Sequence, residues 1–497
     1  MSQAAIGQSV IRQAASGKRP SALRVTALLL AVMAADCATG RAPLPPPAPQ
    51  VPPAFRESTD WKAGQPADQL RRGAWWEVFG DPGLDALEAT IDVSNDTLRG
   101  AQARFLQARA AIGINRAARY PQVTTRPQIT SGTESGNRTN ATEHERVSDF
   151  LLPVDVSYEA DVWGRVRLGV ASAVATAQAS AANLETVRLS LHAELALDYF
   201  ELRGLDAERA ILDNSVAAFQ RALELTRNRF AGGIASQADV ALAETQFEST
   251  RAQAVGLGAR RAALEHAMAV LTGRPPSALR LPSSPLANAP PEIPMGLPSE
   301  LLERRPDVAA AERRITAAGA EVGIAQAAFF PRLLLTATAG FQSRSLLSWL
   351  SGLSTFWSAG PAAAATLADG GRRRAVSAQA RAGYDETVAL YQETILRSLQ
   401  EVEDSLATLR VLREEADIQA AAVAAAERSV TLATNRYRGG VTGYLEVIAA
   451  QNAALTNQRA AVSILSRRLA ASVLLIKALG GGWTTASLPA IKSDPPR

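Results

Sequence analysis

The chain is written twice. Gly113-Ile114 through Tyr120-Pro121-Gln122-Val123 recurs as Gly323-Ile324 through Phe330-Pro331-Arg332-Leu333, 210 positions later. Two further stretches recur at an offset of 207. Gly164-Arg165-Val166-Arg167 returns as Gly371-Arg372-Arg373-Arg374, and Asn228-Arg229-Phe230-Ala231-Gly232-Gly233-Ile234 as Asn435-Arg436-Tyr437-Arg438-Gly439-Gly440-Val441. Three anchors in one order, with a single three-residue slip, mark an internal duplication. The repeats run over 84–275 and 297–482, with a Pro-rich joint at 276–296 and a tail at 483–497. The fold must therefore be two copies of one unit.

Each repeat reads as helix, strand pair, very long helix, Gly-Gly turn and returning helix. Residues 85–118 are Ala-rich and helical in pattern up to Tyr120-Pro121, where proline disfavours helix at the residue before it. Strict alternation follows, with Val123, Thr125, Pro127 and Ile129 against Gln122, Thr124, Arg126 and Gln128. After the polar segment Ser131 to Asp149 it resumes, with Leu152, Val154, Val156 and Tyr158 against Asp155, Ser157 and Glu159. Strands are expected at 121–131 and 150–161, and in the second repeat at 331–342, led by Leu333, Leu335, Ala337, Ala339 and Phe341, and at 356–368. About ten residues is the length a tilted strand needs to cross a membrane. From Val170 to Arg229 there is no proline, and apolar residues recur at three and four. Sixty such residues make a rod of roughly 90 Å at the standard rise. The hairpins are expected over 170–272 and 374–479, each reversing at its Gly-Gly pair.

The amino terminus reads as an address. Arg12, Lys18, Arg19 and Arg24 precede the apolar run Val25 to Ala35, too short to span a bilayer and suited to a signal-peptide core, so 1–36 are expected to be removed on export. Cys37, the one cysteine, follows where bacterial lipoprotein signals place the lipidated residue, although Asp36 departs from the small residue usual there. Ordinary cleavage after Ala34 or Gly40 is the alternative. Residues 37–60 would be an anchor and a Pro-rich spacer.

Chemistry is hard to find. Lys plus Arg exceed Asp plus Glu by 52 − 48 = 4, with no basic stripe, which argues against a nucleic-acid partner. One cysteine excludes an intrachain disulfide and a cysteine zinc site. His144, His192 and His266 are far apart and read as surface or packing residues. Glu401, Glu403 and Asp404 read as solvated or paired helix charges, and Gly256-Leu257-Gly258 lacks the third glycine and the preceding strand of a dinucleotide site. No cofactor or metal is expected.

Four membrane-length strands cannot close a barrel, and an open edge in lipid leaves backbone groups unsatisfied at several kcal/mol each. Chains must pool strands. Two copies give eight, whose interior fills with side chains; three give twelve and leave a lumen, which the polar faces favour. The charged hairpins must project into water, so a β-pore continued by a helical tube is expected: a conduit.

At this point the sequence resembles a known family. Trp75-Trp76-Glu77-Val78-Phe79-Gly80-Asp81-Pro82, Leu301-Leu302-Glu303-Arg304-Arg305-Pro306-Asp307-Val308, Ala327-Ala328-Phe329-Phe330-Pro331 and Gly232-Gly233-Ile234-Ala235-Ser236-Gln237-Ala238-Asp239-Val240 are similar to the TolC/OprM-like outer-membrane efflux channels. They most resemble the NodT-like lipoprotein branch serving resistance-nodulation-division (RND) pumps. The resemblance implies a mixed α/β membrane protein, a homotrimer with a twelve-stranded outer-membrane β-barrel, four strands per chain, and a periplasmic helical barrel. It implies a passive, non-enzymatic exit channel for small toxic compounds, lipid-anchored through Cys37 and working with a periplasmic adaptor (membrane fusion protein) and an inner-membrane RND pump. By the same carry-over Gly232, Gly233, Ile234, Gly439, Gly440 and Val441 shape adaptor-docking tips, and Thr442, Tyr444 and Leu445 lie near the gate. Many relatives carry Asp where this chain has Thr442, which argues against an acidic ring from this position; packing of the second helix is the alternative role for these residues. The competing readings are a channel for type I protein secretion and a lipid-anchored periplasmic coiled-coil scaffold, the latter disfavoured by the alternating strands.

Overall fold

A computed structural model describes residues 52–58, 74–133, 146–286, 289–291, 293, 301–484, 486 and 488. The leader 1–36, Cys37, most of the Pro-rich spacer, most of the polar segment between the first two strands and the residues after 488 lie outside the described residues. The described chain divides into two units, one drawn from 111–173 and 316–384, the other from 46–110, 174–315 and 385–497.

The elements are α1 (Pro82–Ser94), α2 (Asp96–Ala117), β1 (Gln122–Thr125), β2 (Gln128–Thr133), β3 (Arg146–Ala160), α3 (Arg165–Ala231) and α4 (Gln237–Leu271) in the first repeat. The second holds α5 (Leu301–Arg304), α6 (Pro306–Ala327), β4 (Arg332–Ser343), β5 (Thr355–Ala364), α7 (Arg372–Arg438) and α8 (Tyr444–Ala478). The long helices α3 and α7 each have 67 residues and the returning helices α4 and α8 each 35, so the duplication is kept to the residue.

The first unit is an antiparallel sheet in the order β1-β3-β4-β5, with β2 also paired to β3. The strand expected over 121–131 is two pieces. Gln122 pairs with Ser157 and Gln128 with Leu151, so both pieces hold one register, and the gap falls at Arg126-Pro127, where proline has no N–H for the ladder. In effect the sheet has four strands. Register gathers Val123, Ile129, Val154, Leu335 and Trp357 on one face, all exposed. The other face is polar, with the Thr338 hydroxyl donating to Asp155 at 2.7 Å and Gln342 donating to both Asp149 oxygens at 3.1 Å. Where strands give way to helices, the repeat anchors find their reason. Trp163 stacks on Phe330 at 4.6 Å and donates to the Pro331 carbonyl. Asp161 accepts from the backbone of Val166 and Arg167 at the start of α3, and Asp369 does the same for Gly371 and Arg373 at the start of α7. Gly164 and Gly371 take φ of 77° and 88° at these starts.

The second unit holds the main core. The helix expected over 85–118 is broken at Asn95, whose side chain accepts from Leu98 N–H at 2.9 Å and donates to the Leu271 carbonyl at 2.8 Å. The first contact caps α2; the second ties the break to the end of α4. Asp81 caps α1 and accepts the Tyr199 hydroxyl at 2.8 Å. Trp76 stacks on His192 at 4.4 Å, and His192 Nδ1 lies 2.6 Å from Glu88, both groups being buried. Glu401 pairs with Arg305, and Glu403 accepts from the backbone N–H groups of Arg56 and Glu57. Among the described residues no helix is long and apolar enough to cross a membrane.

The Glu88–His192 contact carries a pH dependence. Burial pushes Glu88 up from 4.5 to about 7, with Asp85 and Asp92 adding to the rise and His192 opposing it. Because the folded value exceeds the unfolded one, this contribution to stability is full below about pH 4.5 and is lost as pH rises through about 7. The unfolding temperature is therefore expected to fall between about pH 4.5 and about pH 7 in the native chain, and the Glu88→Gln variant to lose most of that slope. An unchanged slope in the variant would place the dependence elsewhere.

Candidate gate and docking tips

The two Gly-Gly turns are built bond for bond alike. Gly233 N–H donates to the Phe230 carbonyl at 2.9 Å and Ile234 N–H to Arg229 at 2.8 Å; Gly440 N–H donates to Tyr437 and Val441 N–H to Arg436, both at 3.0 Å. This nested pair closes the last turn of each long helix and requires a left-handed residue after it. Gly233 and Gly440 supply it at φ of 74° and 73°. Gly232 and Gly439 do not take positive φ, and their N–H groups continue the helical bonding to Asn228 and Asn435. Each turn presents an apolar β-branched residue beyond its glycines, Ile234 and Val441, both 71% exposed.

The helices that follow start differently. Ser236 and Asp239 form a reciprocal cap on α4. Gly443 at the start of α8 has no side chain to offer, and Thr442, half-buried, keeps a buried hydroxyl without a hydrogen-bond partner among the described residues. Of the residues expected near the gate, Tyr444 is 1% exposed and packs in a cluster with Leu223, Ala243, Tyr437 and Val447, its ring 5.3 Å from that of Tyr437. That burial pushes its phenol up to about 12. Tyr444 is thus a packing residue in this conformation, while Leu445 is exposed.

Arg229 was not singled out by its sequence context, yet it joins the two hairpins. Its guanidinium lies 4.6 Å from the Tyr437 ring centroid and donates to the carbonyls of Tyr437 at 3.1 Å and Arg438 at 3.4 Å. A cation from the first hairpin therefore caps the carboxyl end of α7 in the second, where it meets the negative end of the helix dipole. Thr226 approaches the Tyr437 hydroxyl at 3.4 Å. The only hint in the sequence is the repeat itself: its counterpart Arg436 lies 3.6 Å from Glu446 instead. Among the described residues no group of His, Cys, Asp and Glu could hold a metal ion.

A family profile described as outer membrane efflux protein matches residues 90–274 and again 297–481. The chain belongs to the outer membrane efflux protein family. It is 32% identical over 477 residues to outer membrane protein OprJ of Pseudomonas aeruginosa, covering 94% of this chain and 97% of OprJ. Against the toluene efflux pump outer membrane protein TtgC of Pseudomonas putida it is 32% identical over 411 residues, 82% of this chain and 85% of TtgC. The solved structure of the outer-membrane channel OprN superposes with a TM-score of 0.84 at 28% identity, over 89% of this chain and 99% of OprN. The protein is an efflux channel of the bacterial outer membrane, a component of efflux pumps and not an enzyme. The family motifs read in its sequence are structural joints: Trp76 against His192, Asp81 at the start of α1, and Arg305 between three helices.

Proposed function

We propose that three copies of this chain pool their strands into a twelve-stranded barrel continued by a helical duct. On this reading the trimer is the passive outer exit of an RND-type tripartite efflux system. The observation that carries this is the sheet: one polar face, one apolar face, and two edges, at β1/β2 and β5, that no other strand of the described residues pairs. Such edges cannot end in lipid, and a polar inner face suits a water-filled lumen. Small toxic compounds such as the toluene in the name of TtgC are the cargo this reading favours. A leader at 1–36, a lipid on Cys37 and two repeats at 84–275 and 297–482 complete the proposal. The detergent-corrected mass of protein extracted from outer membranes tests it: a trimer is expected, and a monomer released without detergent overturns it.

The tips formed by Gly232, Gly233, Ile234, Gly439, Gly440 and Val441 are the docking surface for a periplasmic adaptor, and Thr442, Tyr444 and Leu445 lie near the gate, Tyr444 from a buried position behind it. The exposure of the tips and the apolar residue each presents support this. A β-branched residue at Gly440 meets no neighbour but must adopt a left-handed backbone, at about 1–2 kcal/mol. Gly440→Val is expected to leave the trimer mass unchanged and to lower adaptor binding several-fold. Loss of the trimer instead would refute the assignment of this turn.

A further inference from the structure

The turn between β4 and β5 is unusual for a connection expected to meet water. Residues 344–354 read Arg-Ser-Leu-Leu-Ser-Trp-Leu-Ser-Gly-Leu-Ser, with Arg344 the one charge. Leu346, Leu347, Leu350 and Leu353 all stand exposed, Leu347 and Leu353 completely. Four exposed leucines in eleven residues are a patch rather than a scatter. Both strands join helices at their other ends, α6 leading into β4 and β5 leading to α7, so the turn sits at the rim of the sheet away from those helices.

Two observations say what covers it. The turn closes most of its serine and backbone hydrogen bonds on itself, the buried Trp349 indole N–H alone finding no partner among the described residues: Ser345 N–H donates to the Ser343 hydroxyl and Leu347 N–H to that of Ser345, while the Ser354 hydroxyl donates to the Ser348 carbonyl at 2.6 Å. The Ser343 and Ser348 hydroxyls bond each other at 2.8 Å, and the backbone N–H groups of Trp349, Ser351 and Ser354 find carbonyls within the turn. A loop that closes its hydrogen bonds on itself and turns leucine outward is built for a medium that cannot replace those bonds. The second observation is direction. The Trp349 ring packs on Phe150 at 5.7 Å, and Phe150 pairs with Ile129, on the apolar face that also carries Trp357. The turn leans over the apolar face of the sheet and not over the polar one.

We infer that residues 344–354 form a lipid-seated rim, with Leu346, Leu347, Leu350 and Leu353 resting against acyl chains at the membrane surface of the barrel. The inference rests on the barrel reading above. Its occupant is lipid because the patch continues the apolar face of a sheet that belongs in the outer membrane, and because one arginine among eleven residues offers no charge pattern for a protein partner.

The test is spin-label accessibility in liposomes of the full chain. Leu347→Cys and Leu353→Cys are labelled beside two references, Trp357→Cys on the apolar face and Ser358→Cys on the polar face, with the unsubstituted chain as background. At positions 347 and 353 the ratio of oxygen to nickel-chelate accessibility is expected to match that at 357 and to exceed that at 358 several-fold. If 357 reads as lipid while 347 and 353 read as water, the rim inference fails and the barrel stands. Shielding of 347 and 353 from both probes would show that a neighbouring copy covers the turn, which also overturns the inference. If 357 itself reads as water, the barrel reading fails and the rim with it.

Discussion

Replacing Arg305 by alanine is expected to cost about 1.5–3 kcal/mol of folding stability, because the carboxylates it leaves behind are partly exposed. The side chain is 9% exposed and makes four contacts. It forks onto Asp307 at 3.0 and 2.6 Å, reaches Glu401 of α7 at 2.6 Å and donates to the Ala478 carbonyl at the end of α8 at 3.1 Å. Burial works against its charge, but Asp307 and Glu401 outweigh that and raise its pKa further. Three helices thus meet at one guanidinium, and the last carbonyls of α8 gain a cation where the helix dipole is negative. The neighbouring chain is equally tight: Gly480 takes φ of 90°, and a Cβ there would fall on the Arg304 carbonyl. Alanine at 305 removes all four bonds at once and leaves Asp307 without its partner. Arg305→Lys is expected to recover only a part, because an ammonium cannot make the planar fork. Thermal unfolding in detergent measures both variants. A loss below about 1 kcal/mol for alanine would mean that water replaces the guanidinium and that the node is not a joint.

What could be read in the sequence was periodic or local. The apolar and polar faces of the strands follow from alternation, and the Gly-Gly reversals from the one residue type that accepts a left-handed backbone. What could not be read depended on partners far along the chain. The break at Asn95 is invisible in an Ala-rich helical pattern because it is fixed by the Leu271 carbonyl, 176 residues away. His192 looked solitary because Glu88 lies 104 residues before it and Trp76 earlier still. Tyr444, adjacent to the glycine-rich turn, looked free to line a gate; its burial needs Leu223 and Ala243 from the other repeat. The family motifs were legible as motifs, but their work as joints appears only when Arg305, Asp81 and Trp76 have neighbours. Arg229 shows the limit most clearly, since it and Arg436 occupy equivalent positions in the two repeats and only one caps the other hairpin.

The same dependence on distant partners makes Gly340→Val the most damaging single change expected in the sheet. Gly340 pairs with Pro153 across the β3–β4 ladder, the seam where the first repeat joins the second. Proline has no N–H to give, and its neighbourhood leaves no space: a Cβ on residue 340 would fall on the Leu152 carbonyl and close against the Pro153 Cα. Both are backbone atoms of a paired strand, so neither can swing aside as a side chain would. Valine must force β3 and β4 apart, and in a membrane each backbone group so released costs several kcal/mol because no water replaces its partner. The variant is expected to yield no working channel, measured as loss of conductance in planar bilayers and, on the proposed trimer, of the trimer mass in detergent. Gly360→Ala is the control within the same sheet: a Cβ there has nothing within 4 Å, and assembly is expected to match the native chain. If Gly340→Val assembles and conducts normally while Gly360→Ala does the same, the seam tolerates the shift, and the β3–β4 register is not the element on which the channel depends. If only Gly340→Val fails, assembly depends on the close β3–β4 approach at Gly340 and Pro153, within a ladder that joins the two repeats over its whole length.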